Sequence, residues 1–448
     1  MQLERHGLEL LRPPAEVFAP ALDGRGLTLY DDAGRSAESI RPFSAKDADA
    51  YLEYRTAIDR VTDVLVSLFA VTPPRLDQPG GRDLWNLLGT GRKFRSLGRR
   101  DGYRLLRWGP MPVADMMGEW FETDLLSAAL AAPGISGTML GPRSAGSALV
   151  LLMHETHRRL AGGLLRVRGG PGAVTRAMAE AARAAGAEIR ENTRVERILT
   201  SDERVTGVVA GGSAIPARTV VSAVDPKTTF LQLTDPLDLS PEFVVQIRNY
   251  RASGTVAKIN LALSALPAFR GAADPRALSG RIHIGPGLDY LERAFDHAKY
   301  GEISAEPWLD ITIPSILDPA LVPAGAHVMS IYVHYAPAVL RGSAWQGDPL
   351  LQRVLRALEP FAPGLAKLVV AAQVITPPVL EQEYGFHGGH IFHGELALDQ
   401  LFTMRPLLGY GRYDSPIQGL HLCGAGTHPG GFLTGASGRL AATTLAMR

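Results

Sequence analysis

The 448-residue sequence predicts an α/β fold with more than one domain, on three observations. From residue 164 short apolar runs of strand character alternate with helical patterns. Between 236 and 376 helical patterns mix with runs rich in β-branched residues. The chain then closes on a short apolar run, a glycine-rich turn and a last helical pattern. Strands that alternate with helices are typical of α/β domains, and the length favours two or three domain-sized units.

Residues 1–163 are predicted to be mostly helical, apart from one hairpin. Asp23 and Gly24 form a two-residue turn between apolar runs, which predicts the hairpin. Ser44 is a preferred helix N-cap, and apolar residues recur at helical spacing after it. The pattern therefore predicts a long amphipathic helix from Ala45 to about Ala70.

The later segments are predicted element by element. Alanine-rich sequence between two glycine positions predicts a helix over 173–185. Short β-branched or apolar runs with flanking turn residues predict the strands. The predicted strands are 164–168, 187–190, a hairpin of 195–199 with 205–209, a buried strand at 219–223 and a buried strand at 419–424. A final helix is predicted from about 434 to 447.

Composition and charge narrow the functional classes. The chain has 46 Lys and Arg against 45 Asp and Glu, and 46% of its residues are hydrophobic. This balance excludes a disordered chain and a nucleic-acid binder that acts through bulk positive charge. The single cysteine, Cys423, excludes an intrachain disulfide and a cysteine-based metal cluster. With no apolar run near the roughly 18 residues of a spanning helix and no basic-then-apolar leader, we expect a soluble, cytoplasmic protein without a transmembrane segment. Oligomeric state stays open.

A first glycine-rich turn, GGPG at 169–172, precedes the helix predicted at 173. Glycines let the backbone approach a bound group closely, and the amides that open a helix favour an anion. Gly170 and Gly172, with Glu191 further on, partly match a dinucleotide fingerprint. The third glycine position holds Thr175, so the fingerprint fails. Two alternatives to a cofactor site of this kind stay open. The turn is an ordinary βαβ connection, or it belongs to a nicotinamide-only Rossmann dehydrogenase, a hypothesis that Thr175 weakens.

The second turn, CGAGTHPGGFLTG at 423–435, follows a predicted buried strand and opens the last helix. Its amides and the hydroxyls of Thr427 and Thr434 are suited to an anion or to negative charge on an aromatic cofactor. Close packing of a terminal helix on a sheet also needs small residues. The number of glycines in one turn favours the cofactor hypothesis over packing alone.

Histidines cluster late in the chain. His387, His390 and His393 are spaced three apart, which raises a zinc hypothesis. Glycines at 385, 388, 389 and 394 break the helix that such spacing needs, so no metal site is predicted. A loop over a cofactor pocket is the favoured interpretation. The spacing of serines, histidines and acids assigns no catalytic residue.

Several motifs together resemble one family, the phytoene-desaturase-like flavoprotein oxidoreductases. They are GHIFHGELALDQLF at 389–402, MRP at 404–406, LCGAGTHPGG at 422–431, TGA at 434–436 and GR at 438–439. Shorter matches lie at 141–144, 168–173 and 221–226. The resemblance covers nearly the whole chain and is closest to the branch called pyridine nucleotide-disulfide oxidoreductase domain-containing protein 2. Disulfide reductase chemistry is excluded despite that name, because no paired cysteine exists.

The resemblance implies FAD as cofactor and a small hydrophobic substrate. It implies a discontinuous FAD-binding domain of the glutathione-reductase type from 164–235 and 377–448. An α+β substrate domain would span 236–376, with 1–163 as a substrate or cap region. The FAD contacts that it implies are Gly169, Gly170, Gly172, Val195, Gly424, Ala425, Gly426, Gly430, Gly431, Thr434 and Gly435. Phe432 and Leu433 interrupt the glycines of the second turn, and Pro171 replaces a methionine usual in the family.

The sequence departs from the family at its start. Members begin with a strand, a GxGxxG turn and a helix of about 30 residues in all, which hold the cofactor pyrophosphate. No GxGxxG occurs in this sequence, and Met1 aligns with a point past that unit. Two explanations stay open. The sequence is a fragment of a complete flavoenzyme or carries a start assigned too late, or it is a truncated relative that does not retain FAD and acts by binding a partner.

Overall fold

The computed structural model describes residues 2–75 and 79–446, and of Arg82 it describes the main chain. The helices are α1 Ala33–Ile40, α2 Ala45–Phe69, α3 Gly81–Ser96, α4 Gly98–Trp108, α5 Val113–Gly118, α6 Asp124–Ala131, α7 Ser147–Leu160, α8 Gly172–Ala184, α9 Pro226–Thr228, α10 Pro241–Asn249, α11 Leu288–Lys299, α12 Gly347–Leu358, α13 Leu365–Leu368, α14 Pro377–Tyr384 and α15 Ala436–Leu445. None of these helices is both long and apolar enough to cross a membrane.

The strands, in chain order, form four sheets within the described residues. They are β1 Leu10–Leu11, β2 Val17–Pro20, β3 Gly26–Leu29, β4 Arg166–Val167, β5 Val195–Ser201, β6 Arg204–Ala210, β7 Ser213–Pro216, β8 Val220–Ser222, β9 Val256–Leu263, β10 Arg281–Ile284, β11 Leu309–Thr312, β12 His327–His334, β13 Val369–Ile375 and β14 Leu420–Leu422.

The large sheet has the strand order β13-β9-β12-β11-β10-β2-β3. Its pairs are antiparallel except for β10 and β2, which are parallel. Successive strand residues point to opposite faces, so one face carries Ile259, Leu261, Ile311 and Ile331, all buried. That face packs against α12 through residues such as Val354. The opposite face is more polar and borders a cavity.

The helix predicted after Ser44 is confirmed. Helix α2 runs from Ala45 to Phe69, and the Ser44 hydroxyl accepts a hydrogen bond from the amide of Asp47. Its buried face, with Tyr54 and Ile58, joins the core built from α5, α6 and α7. The predicted hairpin is also confirmed as β2 and β3. These two strands join the large sheet, so region 1–163 supplies strands as well as helices.

Between 164 and 235 the sequence predictions hold in part. The β5–β6 hairpin is confirmed, and β7 extends it to an antiparallel sheet. Helix α8 begins one residue earlier than predicted. The strand predicted at 187–190 is wrong, because these exposed residues meet no neighbouring strand in the described part of the chain. The predicted strand at 164–168 shortens to β4, which pairs with β1.

The two buried strands predicted near the glycine turns pair in parallel as β8 and β14. All three residues of β14 are buried. Strand β8 differs from the prediction, because Val221 is 44% exposed. No strand among residues 2–75 and 79–446 pairs with the other edge of β8. The final helix, α15, ends at Leu445, and Met447 of the predicted helix lies outside the described residues. The predicted division into four segments, with boundaries after residues 163, 235 and 376, stays a prediction.

Candidate functional site

A cavity of about 1460 Å³ lies between the glycine turns and the polar face of the large sheet. The turn before α8 and the turn before α15 border it on one side. Strands β9, β11, β12 and β13 border it on the other, and α7 contributes His154. This volume exceeds the roughly 300–1,000 Å³ of an ordinary ligand pocket, so there is room for more than one small molecule.

The first glycine turn lies where the structure brings β4 to α8. Gly169 and Gly170 have φ angles of +75° and +77°, which side chains other than glycine adopt at a cost. Gly170 lines the cavity. The amide of Gly169 donates a 2.7 Å hydrogen bond to Asp318, which also lines the cavity. Gly172 is the first residue of α8.

The second glycine turn is packed too closely to accept larger residues. Gly424 has a φ of +86°, and a Cβ there would lie 2.7 Å from the carbonyl oxygen of Ala223. A Cβ on Gly431 would lie 2.7 Å from the Phe392 ring. Glycine is therefore required for the turn itself as well as for any approach of a ligand.

The N-terminus of α15 points into the cavity. Gly435, with a φ of +65°, caps the helix, and Ala436, Ser437 and Gly438 follow it along the cavity wall. Thr434 accepts a 3.3 Å hydrogen bond from the amide of Ala436. The first amides of a helix carry partial positive charge, so this wall favours a negatively charged group.

The structure brings only some of the predicted FAD contacts to the cavity. Those on its wall are Gly170, Gly424, Ala425, Gly430, Gly431 and Gly435. Gly169, Gly172, Gly426 and Thr434 belong to the same two turns but do not line the cavity. Val195 is the first residue of β5, where it pairs with Ala210 away from the cavity. The assignment of these residues to FAD stays a prediction.

Phe432 belongs to an aromatic cluster beside the second turn. Its ring stacks on His157, with the centroids 3.7 Å apart, and meets His154 edge-on at 4.8 Å. Burial lowers the pKa of each of these two histidines to about 4. Both imidazoles are therefore neutral at pH 7. Leu433, the other residue that interrupts the glycines, is 91% exposed at the cavity mouth.

One positioning residue escaped the sequence analysis. Arg405 is fully buried, and its guanidinium binds only backbone carbonyls. The acceptors are the carbonyl oxygens of Phe392, Gly394, Glu395, Gln400 and Ala425, at 2.8 to 3.2 Å. The side chain thereby ties the loop at 389–402 to the second glycine turn. Backbone acceptors leave no mark in a sequence pattern. The MRP motif at 404–406 therefore marked the position of Arg405 but not its role.

Two of the late histidines, His390 and His393, belong to the loop at 389–402. The Nδ1 atom of His390 accepts hydrogen bonds from the amides of Phe392 and Gly394, at 3.2 and 3.4 Å. His393 lines the cavity with a φ of +55°. Across the described ranges, no group of three or more His, Cys, Asp or Glu side chains is arranged to hold a metal ion.

The polar cavity floor also went unassigned. Tyr332 is 37% exposed on this floor, whereas Trp308 and Tyr335 are buried. Lys258 and Asn260 lie on the same face in β9. Polar residues at alternate positions of an otherwise apolar strand could have indicated this polar face from the sequence.

A strand–glycine turn–helix unit that faces a second domain's sheet across a large cavity is typical of two-domain cofactor-dependent enzymes. The sequence profile described as "flavin containing amine oxidoreductase" matches residues 122–446. The chain belongs to this family.

Individual relatives agree with that assignment. The chain is 35% identical to pyridine nucleotide-disulfide oxidoreductase domain-containing protein 2 of Rattus norvegicus, over 99% of this chain and 81% of the relative. It is 30% identical to the lycopene-forming phytoene desaturase of Pseudescherichia vulneris, over 67% of this chain and 59% of that protein. Among solved structures, a triple mutant of putrescine oxidase matches with a TM-score of 0.58 at 15% identity. That match covers 99% of this chain and 84% of the other, and it supports the fold alone.

Proposed function

We propose that this protein is an FAD-dependent oxidoreductase that transfers a hydride from an apolar or amine-type substrate to the flavin. The observation that carries the proposal is the single cavity shared by the two glycine turns and the floor of the large sheet. It holds cofactor-type backbone on one wall and substrate-type side chains on the other. FAD supplies the hydride acceptor when bound, while the protein supplies orientation and exclusion of water.

The residues present suit one part of such a cofactor. The closely packed turn at Gly424 and Gly431 presents bare backbone to a ligand. The N-terminus of α15 favours negative charge, either on the flavin ring or on the phosphate next to the ribityl chain. Arg405 holds the facing loop against that turn. We infer that the pyrophosphate needs the strand–GxGxxG–helix unit, and that this unit would pair with the open edge of β8.

The test is an FAD titration of the purified chain, followed by absorbance at about 450 nm and by quenching of flavin fluorescence. A second sample carries a strand–GxGxxG–helix unit added before Met1. We expect weak binding or none by the chain alone and stoichiometric binding by the extended chain. Absence of flavin from both samples would overturn the proposed function, and tight binding by the chain alone would overturn the need for the added unit.

Two glycines offer a matched pair of variants for this titration. Gly435 and Gly186 both have a positive φ, at +65° and +88°, and a Cβ on either meets open space. Alanine therefore costs each site similar backbone strain, about 1 kcal/mol. Only Gly435 borders the cavity. We expect Gly435→Ala to weaken FAD binding by about tenfold and Gly186→Ala to leave it unchanged.

A second candidate function, a catalytically inactive relative that acts by binding a partner, rests on the edge of β8. Within the described residues no strand pairs with one edge of β8, and such an edge beside the exposed Val221 is a template for pairing with another chain. The extended sample distinguishes the two functions. Stoichiometric FAD with no reduction by any of a panel of amines and alkenes, together with a stable complex with another protein, would favour the second.

A further inference from the structure

The polar face of the large sheet forms the cavity floor, opposite the glycine turns. Along β9 and β12 the residues on this face are cross-strand neighbours, with Lys258 opposite Tyr332 and Asn260 opposite Ser330. The Ser330 hydroxyl donates to the Asn260 amide oxygen at 3.1 Å, and the Asn260 amide nitrogen donates to Gln373 at 3.0 Å. The floor is therefore an ordered polar surface.

The carboxylates that line the cavity already have cationic partners. Asp310 accepts hydrogen bonds from Arg281 at 3.1 and 3.2 Å and lies within 3.4 Å of His283 and His334. Burial alone would raise the pKa of Asp310, but Arg281 and the two histidines hold it well below its usual value. The remaining pairs are Glu16 with Arg158, Glu155 with Arg55 and Arg158, and Asp318 with Arg168.

Two cations on the cavity wall lack such a partner. Neither Arg166, on β4, nor Lys258 has a carboxylate oxygen within 4.0 Å among the residues that the structure describes. Arg166 donates one long hydrogen bond of 3.4 Å to the carbonyl of Leu165. The Lys258 ammonium lies 5.5 Å from the centroid of the Tyr332 ring. Both side chains are half-buried, and this burial lowers the pKa of each group, while the nearby charge of Arg281 lowers that of Arg166 further.

Apolar side chains also line the cavity on both sides of this floor. Leu317 and Leu321 border the floor, and Phe386, Ile391 and Phe392 border the loop that Arg405 anchors. A ligand that fills this space needs an apolar body. A half-buried cation favours a ligand with a negative charge, because an anion compensates the partly desolvated charge that a neutral group leaves unpaired.

We propose that the cavity takes a substrate with an apolar body and a carboxylate head, and that the cations available to that head are Lys258 on the floor and Arg166 on the wall of the first glycine turn. The proposal deepens the proposed function and rests on it, since the cavity is taken as the substrate site. It narrows the substrate class to acids. A pure hydrocarbon leaves both cations uncompensated, and an ammonium head is repelled by them because the acids around it are already paired.

The test compares ligands that share one tail and differ in the head group. Decanoate, decanol and decylamine are titrated separately into the purified chain by isothermal calorimetry at pH 7.5, below the concentrations at which they form micelles. We expect decanoate to bind at least about tenfold more tightly than decanol, and decylamine to bind most weakly. The probes need no flavin, so the result does not depend on retention of FAD.

The variants assign the effect to the two cations. Lys258→Met keeps the length of the side chain, and we expect it to weaken decanoate binding by about tenfold while decanol binding stays unchanged. Lys258→Arg restores the charge and is expected to restore most of the affinity. Arg166→Met is expected to act like Lys258→Met. Lys367→Met, at an exposed position away from the cavity, is the matched control.

Three results would overturn the proposal. Equal affinity for decanoate and decanol removes the need for a charged head. Equal losses of both ligands in Lys258→Met show a packing role. Loss of FAD affinity in Lys258→Met, with decanoate binding unchanged, assigns the cation to the cofactor. A failed FAD titration with the expected decanoate results overturns the proposed function alone, so the two failures are distinguishable.

Discussion

The large sheet and the β8–β14 pair border the same cavity but differ in how completely each is built. In the large sheet every inner strand has two hydrogen-bonded neighbours, and one face is covered by helices. Strand β14 is equally buried, yet its neighbour β8 has an unpaired edge within the described ranges and exposes Val221. Parallel strands are normally covered on both faces. The large sheet is thus self-supporting, whereas the β8–β14 pair depends on contacts from outside its own two strands.

Loop anchoring partly replaces strand pairing around β8 and β14. Arg405 connects the turn after β14 to the loop at 389–402. The Ser437 hydroxyl, at the start of α15, donates to the carbonyl of Gly424 at 2.8 Å. The glycine turn therefore keeps its shape through side chains that bind backbone carbonyls, so single substitutions of those side chains should lower the stability of this region.

The largest expected effect comes from removing that anchor. Arg405→Met removes the side-chain donor from five carbonyl groups, of which that of Glu395 keeps the Gln400 side chain as a donor, so we expect the free energy of unfolding to fall by about 3–5 kcal/mol. Arg405→Lys is expected to recover part of the loss, because one ammonium group reaches fewer acceptors. Urea-induced unfolding measures both changes, with the exposed Arg276→Met as control. A loss below about 1 kcal/mol would contradict this contrast between the two regions, since the β8–β14 region would then need no anchor.

A paired substitution tests the two sheets directly. Ile331 is fully buried at the centre of the large sheet, so Ile331→Ala is expected to lower the free energy of unfolding by about 2–5 kcal/mol. Val221→Thr in β8 is expected to cost less than about 0.5 kcal/mol because the side chain is already exposed. Urea denaturation of both variants gives the difference. If Val221→Thr costs as much as Ile331→Ala, β8 is covered in solution and the contrast fails.

The smallest expected effect is a pH dependence centred on the aromatic cluster. Folding lowers the pKa of His157 to about 4, so between pH 6.5 and 4 the unfolded chain binds the proton more tightly. The stabilisation is full above pH 6.5 and is lost as the pH falls towards 4. From pH 7 to pH 5 we expect a loss of about 1–2 kcal/mol from this group.

Two variants assign this pH dependence. In His157→Gln, we expect the difference in unfolding free energy between pH 7 and pH 5 to shrink by that amount of about 1–2 kcal/mol. His297→Gln is the control, because its imidazole is half exposed and lies away from the cluster. Identical pH slopes in the two variants would contradict the assignment. His154 has a similarly lowered pKa and should add to the slope that remains.

Much of the fold was predictable from local chemistry. Ser44 marked the start of α2, and β-branched runs with turn residues marked the β5–β6 hairpin. These elements depend on neighbours in sequence, which a pattern records. The strand predicted at 187–190 failed because a strand requires a partner, and partner availability is a property of the whole sheet.

The candidate site was predictable in one half only. Glycine turns leave a sequence signature because Gly424 has no alternative at its φ angle and packing distance. Lys258 and Arg166 are separated by 92 positions in the sequence, and only the fold brings both to the wall of one cavity. Their missing counter-charges are visible only when every surrounding carboxylate has been placed.

The alternation of residues in β9 has an evolutionary consequence. Ile259 and Leu261 face the core, so changes there alter stability, while Lys258 and Asn260 face the cavity and contribute little to packing. Descendants of this gene can therefore exchange the charges on the floor one at a time without approaching the threshold of unfolding. The same scaffold is in this sense able to diversify its ligands while its architecture stays constant.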